Sequence, residues 1–112
     1  MNDTILPIGS IVTLQQSTAV PVMIINRTPL YYEKDKCLGY VDYSSVLYPE
    51  GLDGDGQELY YFNQEDIADI LFLGYRDAEE LEFENNYDDI KATFKYPKLT
   101  IPVADSDTNP EN

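Results

Sequence analysis

The chain is expected to fold as an α+β domain that is mainly β: a small antiparallel, partly rolled sheet of five or six strands, one short helix, and a C-terminal amphipathic helix. Three observations lead there. β-Branched and aromatic runs recur up to Leu73, each stopped by turn-forming residues. The clearest stop is Val46-Leu47-Tyr48-Pro49-Glu50-Gly51, where Pro presets φ for a turn and Gly accepts the positive φ that other residues resist. Only after Arg76 does the spacing become helical, with Phe83, Tyr87, Ile90 and Phe94 at intervals of four, three and four.

In order along the chain, Leu6-Pro7-Ile8-Gly9-Ser10 opens the domain and Ile11-Val12-Thr13-Leu14 reads as a short strand. Gln15 to Ala19 is polar and small, as a hairpin connection would be. Val20 to Ile25 is the most apolar stretch and is expected to be a strand buried on both faces, with Pro21 tolerable near its start. Asn26 to Lys36 reads as a polar loop. Cys37 to Val41 and Ser45 to Tyr48 read as one long bent strand with a bulge at Ser44-Ser45. The hinge loop and Leu59-Tyr60-Tyr61-Phe62 complete a hairpin.

Asn63 is placed to cap a short helix, with Glu65 and Asp66 in its first turn and Phe62 and Ile67 spaced as a hydrophobic staple. Asp69 to Leu73 is a further strand ended by Gly74. The closing helix carries acids opposite its apolar stripe, is weakened by Asn85-Asn86, and should stop at Tyr96-Pro97. One domain over residues 5–96 and a disordered acidic tail over 97–112 are expected.

At 112 residues and 43% hydrophobic, the chain can bury one core but not two. Its net charge of −14, from 21 acids against 7 bases, repels nucleic-acid phosphates and anionic lipid, so neither partner is expected. The charge suits solubility, or docking on a basic surface. No apolar run approaches a membrane span, and Met1-Asn2-Asp3-Thr4 lacks the features of a signal peptide, so a cytoplasmic protein is expected. The lone Cys37 fits a reducing compartment.

Histidine is absent, which removes the usual neutral-pH general base and the commonest metal ligand. Cys37 therefore has no histidine to activate it and reads as a small buried hydrophobe. Asp53-Gly54-Asp55-Gly56 invites comparison with a calcium loop. Counting from Asp53, however, positions five, six and twelve hold Gln57, Glu58 and Gln64, where a ligand, Gly and Glu are needed. An ordinary solvated turn is the expectation, with no metal, no cofactor and no catalytic residues. An enzyme is not expected.

Ten tyrosines are the compositional excess. Tyrosine offers an apolar face with a polar tip and is favoured where proteins touch. Tyr40, Tyr43, Tyr48, Pro49, Glu50, Tyr60 and Tyr61 are the candidate partner-binding residues, against the alternative that the tyrosines merely fill an amphipathic sheet. Tyr-x-x-x-acid matches at Tyr31, Tyr61 and Tyr75 carry no weight, since about two arise by chance in such a chain.

The ordered motifs Leu6-Pro7-Ile8-Gly9-Ser10-Ile11-Val12, Pro21 to Ile25, Asp42-Tyr43, Leu47-Tyr48-Pro49-Glu50-Gly51, Phe62-Asn63 with Glu65-Asp66-Ile67, and Gly74-Tyr75-Arg76-Asp77 resemble domain-of-unknown-function family 4176. The resemblance spans roughly residues 6 to 80. It implies an accessory protein encoded beside type VII secretion genes of Gram-positive bacteria, near toxins with an LXG export domain. The function it implies is a cytoplasmic chaperone or adaptor for such a toxin. The alternative is an acidic immunity protein that neutralises a basic toxin domain, since opposite potentials speed docking. The family brings no catalytic residues with it.

Overall fold

The computed structural model describes residues 5–52 and 59–100. Seven strands and two short helices follow one another: β1 (Ile11–Leu14), β2 (Ser17–Arg27), β3 (Leu30–Glu33), β4 (Lys36–Tyr40), β5 (Tyr43–Leu47), β6 (Tyr60–Phe62), β7 (Ile67–Phe72), α1 (Ala78–Asn85) and α2 (Tyr87–Lys91). Five strands form one antiparallel sheet in the order β6-β5-β2-β1-β7, and β3-β4 forms a separate hairpin. The α+β, mainly β architecture is thus present, with the open sheet rolled.

Chain length forces the roll. Strands β6 and β7 lie on opposite edges, which a flat five-stranded sheet would hold about 19 Å apart, four spacings of about 4.8 Å. Only residues 63–66 join them, and the 3-10 turn Gln64–Asp66 advances merely about 2 Å per residue. The edges must therefore approach each other. They do not pair; instead Gln15 at the β1–β2 turn donates its N–H to Asp66 O (2.9 Å) and its side-chain amide to Glu65 O (3.2 Å).

The inner face closes over Leu6, Val12, Ile24, Tyr43 and Phe62, all at most 2% exposed. Each contributes on the order of 1.5–3 kcal/mol by leaving water. Phe62 and Ile67, the pair spaced as a staple, both enter this core. Asn63 heads the 3-10 turn, where the Asp66 carboxylate accepts its N–H at 2.9 Å.

The structure corrects four expectations. Strand β2 buries one face only: Val22 and Ile24 are in the core, while Met23 and Ile25 on the other side are half-buried. A single sheet with no second layer over that face leaves them so. The bulge faces Ser44-Ser45 but lies on β2, where Ile25 is the extra residue between the Ile24–Ser45 and Asn26–Ser44 pairs. The polar stretch from Asn26 contains β3, whose residues are all exposed and so show no alternation to read. The expected bent strand is two, β4 and β5, because the chain turns at Asp42. Its N–H goes to Asn63 Oδ1 (2.9 Å) and its carboxylate accepts from Gln64 N–H (2.8 Å), bonds that draw it out of the ladder.

The C-terminal helix is broken at Asn86 (φ −100°, ψ 7°), beside the Asn pair with its poor helix propensity. Its stripe still faces inward, with Tyr87 buried, Phe83 packed on the core and Phe94 edge-on to Tyr40 at 4.9 Å. The Asp77 carboxylate caps α1 by accepting Glu80 N–H at 2.8 Å. Gly74 lets the segment after β7 cross the opening turn, since a Cβ there would sit 2.3 Å from Ile8 O. Among the described residues, no helix is long and apolar enough to cross a membrane.

Candidate partner-binding surfaces

The seven candidate residues separate into core and surface. Tyr43 is 0% exposed; its hydroxyl accepts Leu6 N–H at 2.9 Å and donates to Gln64 Oε1, and its ring lies 5.2 Å from Phe62. Burial, foremost, pushes its phenol far above the ordinary value, though the Leu6 bond opposes this. Tyr40 is also buried, and burial followed by the nearby Asp42 charge raises its phenol. These two side chains pack into the fold rather than standing on its surface. Strand β5 turns Tyr43 onto the closed face, which spacing alone does not reveal.

The other five reach the surface. Tyr48, Pro49 and Glu50 are exposed on the turn after β5, where the Tyr48-Pro49 peptide is cis and Tyr48 donates its N–H to Pro21 O (3.0 Å). Tyr60 and Tyr61, on edge strand β6, line an apolar cleft of about 390 Å³. Tyr31, from β3, completes it with its ring 5.6 Å from that of Tyr61, and Leu14, Val41, Leu59 and Leu99 add apolar wall.

One side of this cleft is made by Leu99 and Thr100, part of an extended strap over residues 97–100 that runs beside the end of β4. Tyr40 donates its N–H to Pro97 O (2.9 Å) and accepts Leu99 N–H (2.8 Å), while Asn63 Nδ2 donates to Leu99 O (2.7 Å). Lys98 Nζ sits 3.0 Å from Glu65 Oε1 and 3.3 Å from Asp42 Oδ2. Gly39 permits the approach, because a Cβ there would lie 2.4 Å from Pro97 O. This part of the expected tail is therefore paired; residues 101–112 lie outside the described residues, as does the calcium-like stretch Asp53 to Gly56.

Charge governs the strap. Burial disfavours the charged form of both Lys98 and Glu65, but their mutual hydrogen bond wins, raising the lysine and lowering the carboxyl. A lowered carboxyl favours the clasped form above its ordinary 4.5 and loses that as pH falls through the depressed value; the raised lysine holds up to 10.5 and beyond. Protection of the Leu99 amide against exchange, taken relative to Ile24, is therefore expected to be flat across neutral pH and to fall on acidification below 4.5. A constant ratio down to lower pH would contradict the clasp.

A second cavity of about 450 Å³ lies beyond Lys98, walled by Asp42, Glu65, Asp88, Tyr87 and Lys91. Lys91 lies over the Tyr87 ring at 4.7 Å, and Lys98 is occupied by the two acids. Among the described residues, no three His, Cys, Asp or Glu converge as a metal site. Cys37 is half-buried and its thiol lies 3.9 Å from Gly39 O.

A further apolar surface lies at the free edge of β7. Ile70, Leu71, Phe72 and Leu73 are all between 42% and 58% exposed, and Tyr75 beyond them is 83% exposed. β7 pairs with β1 on one side and has no partner strand on the other among the described residues. The apolar run is readable as a strand, but only the strand order makes it an edge. Natural edges usually carry charge or Pro to discourage pairing, and this one does so only at Asp69.

The family model described as Domain of unknown function (DUF4176) matches residues 5–83, from the segment before β1 into α1. No curated protein and no solved structure matches the chain.

Proposed function

The chain belongs to the DUF4176 family, and from that membership we propose that it is a non-catalytic protein-binding accessory factor, a cytoplasmic chaperone or adaptor for an LXG toxin exported by a type VII system of a Gram-positive bacterium. The observation that carries the protein-binding part is the β7 edge: four successive exposed apolar residues, Ile70 to Leu73, along a strand that pairs with β1 on one side and has no partner strand on the other among the described residues. Such an edge is a template for strand addition, in which backbone bonds supply affinity and alternate side chains supply specificity. On a chain of net charge −14 it is also the place where self-repulsion has to be overcome by a partner's own contacts.

Co-production with the cognate toxin is expected to raise the toxin's soluble yield and its export. Leu71→Lys should abolish both while leaving folding nearly unchanged, within about 0.5 kcal/mol, as for exposed substitutions in general. A toxin indifferent to the wild-type protein would remove the proposal.

The charge favours a second reading, an immunity protein, since Glu79, Glu82, Asp88 and Asp89 form an exposed acidic face on α1 and α2. Toxin fragments separate the two. An adaptor binds the export region, whereas an immunity protein binds the killing domain and keeps a toxin-expressing strain alive.

A further inference from the structure

The strap over residues 97–100 is bound the way a peptide ligand is bound. Its backbone is read by Tyr40 and Asn63, its lysine by Asp42 and Glu65, and its Leu99 by the apolar cleft. We propose that this cleft is a peptide-binding site masked by the chain's own C-terminal segment, and that its exchangeable occupant is an extended segment of another protein carrying a basic residue followed by a large aliphatic one. The inference goes beyond the toxin reading and concerns a different surface from the β7 edge.

Four observations carry it. Asp42 keeps only 6% of its side chain exposed yet lies 3.3 Å from a cation, so an occupant without a positive charge would leave a buried carboxylate with no countercharge beyond the Gln64 N–H it accepts. Leu99 is only half-buried, while Tyr31, Tyr60, Tyr61 and Leu59 wall a volume of about 390 Å³ that it does not fill. The rest of the strap is held lightly: Pro97, Lys98 and Thr100 are exposed, and both backbone–backbone bonds go to the single residue Tyr40 of β4. Segments tied down by few buried contacts open at the low end of a protein's stability range. Finally, the close approach of Pro97 O to Gly39 shows that the end of β4, beside the cleft, accepts a backbone directly, so recognition is by main chain with two side-chain contacts.

The probe is a fluorescein-labelled peptide of the strap's own sequence, Tyr-Pro-Lys-Leu-Thr with blocked ends, read by anisotropy. The full-length chain carrying Lys98→Glu and Leu99→Asp should bind it at least about tenfold more tightly than the unaltered chain, because masking multiplies apparent affinity by the open fraction. A probe with Glu in place of its lysine should bind neither. Equal binding by both chains, or no binding by a variant that still melts cooperatively, overturns the proposal. Independently of any variant, excess peptide added to the unaltered chain should speed exchange of the Leu99 amide and leave that of Tyr40 protected. An unmoved Leu99 amide means that the strap is a fixed part of the fold and the site does not exist.

Discussion

Tyr43→Ala is expected to lower the unfolding free energy by about 3–5 kcal/mol, the range for removing a large aromatic from a core. Tyr43→Phe should lower it by roughly 1–3 kcal/mol through polar groups alone. The ring is wholly enclosed against Phe62, so its loss leaves a cavity that the surrounding strands can collapse into only in part. The hydroxyl accepts the buried Leu6 N–H, and Phe cannot replace it. For a domain of this size the alanine change amounts to roughly 12–20 °C in Tm, and urea titration of the same chains gives the free energy directly. Were Tyr43→Ala to leave the midpoint in place and weaken partner binding instead, Tyr43 would belong to the surface and the sheet would have to roll the other way.

The second large effect is at Arg27, which fastens the helices to the sheet. Its guanidinium holds Glu80 through two bonds of 2.5 and 2.8 Å, donates to Leu6 O at 3.3 Å, and lies 4.4 Å over the Phe83 ring. The paired side chains are 14% and 12% exposed, so screening by water is limited. Arg27→Ala strands Glu80 without its cation and is expected to cost toward the low end of the ~3–5 kcal/mol typical of breaking a buried pair. Lysine rescues only part, since a point charge cannot make both bonds and the ring contact at once.

Acid gives the same pair a second signature. Burial works against the Glu80 charge, but the Arg27 bond and charge outweigh it and hold the carboxyl below its ordinary 4.5. Folding therefore gains from Glu80 above 4.5 and loses that gain as pH falls through the depressed value. Neighbouring Glu84 moves the other way, raised by burial and by its bond to Glu80, against the pull of Arg76. Removing Arg27 should flatten the acid limb of the stability curve, and a limb of unchanged slope would assign it to other carboxyls.

Local chemistry determined a good deal here. The turn at Pro49-Gly51, the staple from Phe62 to Ile67, the strand limits of Ile11–Leu14 and the inward stripe of Phe83 and Tyr87 are all governed by residues close in sequence, and each is present. A histidine-free composition and a charge of −14 likewise need no coordinates. What depends on residues far apart had to await the tertiary structure. Whether a tyrosine of β5 or β6 points in or out follows from which way the sheet rolls, and the roll is set by how short the link from Phe62 to Ile67 is. Whether Ile70 to Leu73 lies in the middle or at the edge follows from strand order, a pairing choice made across some sixty residues between β1 and β7. The strap over 97–100 looks polar and ownerless in sequence, because its partners Tyr40, Asp42, Asn63 and Glu65 are supplied by other parts of the chain. Side-chain periodicity encodes a face, but only packing decides what that face meets.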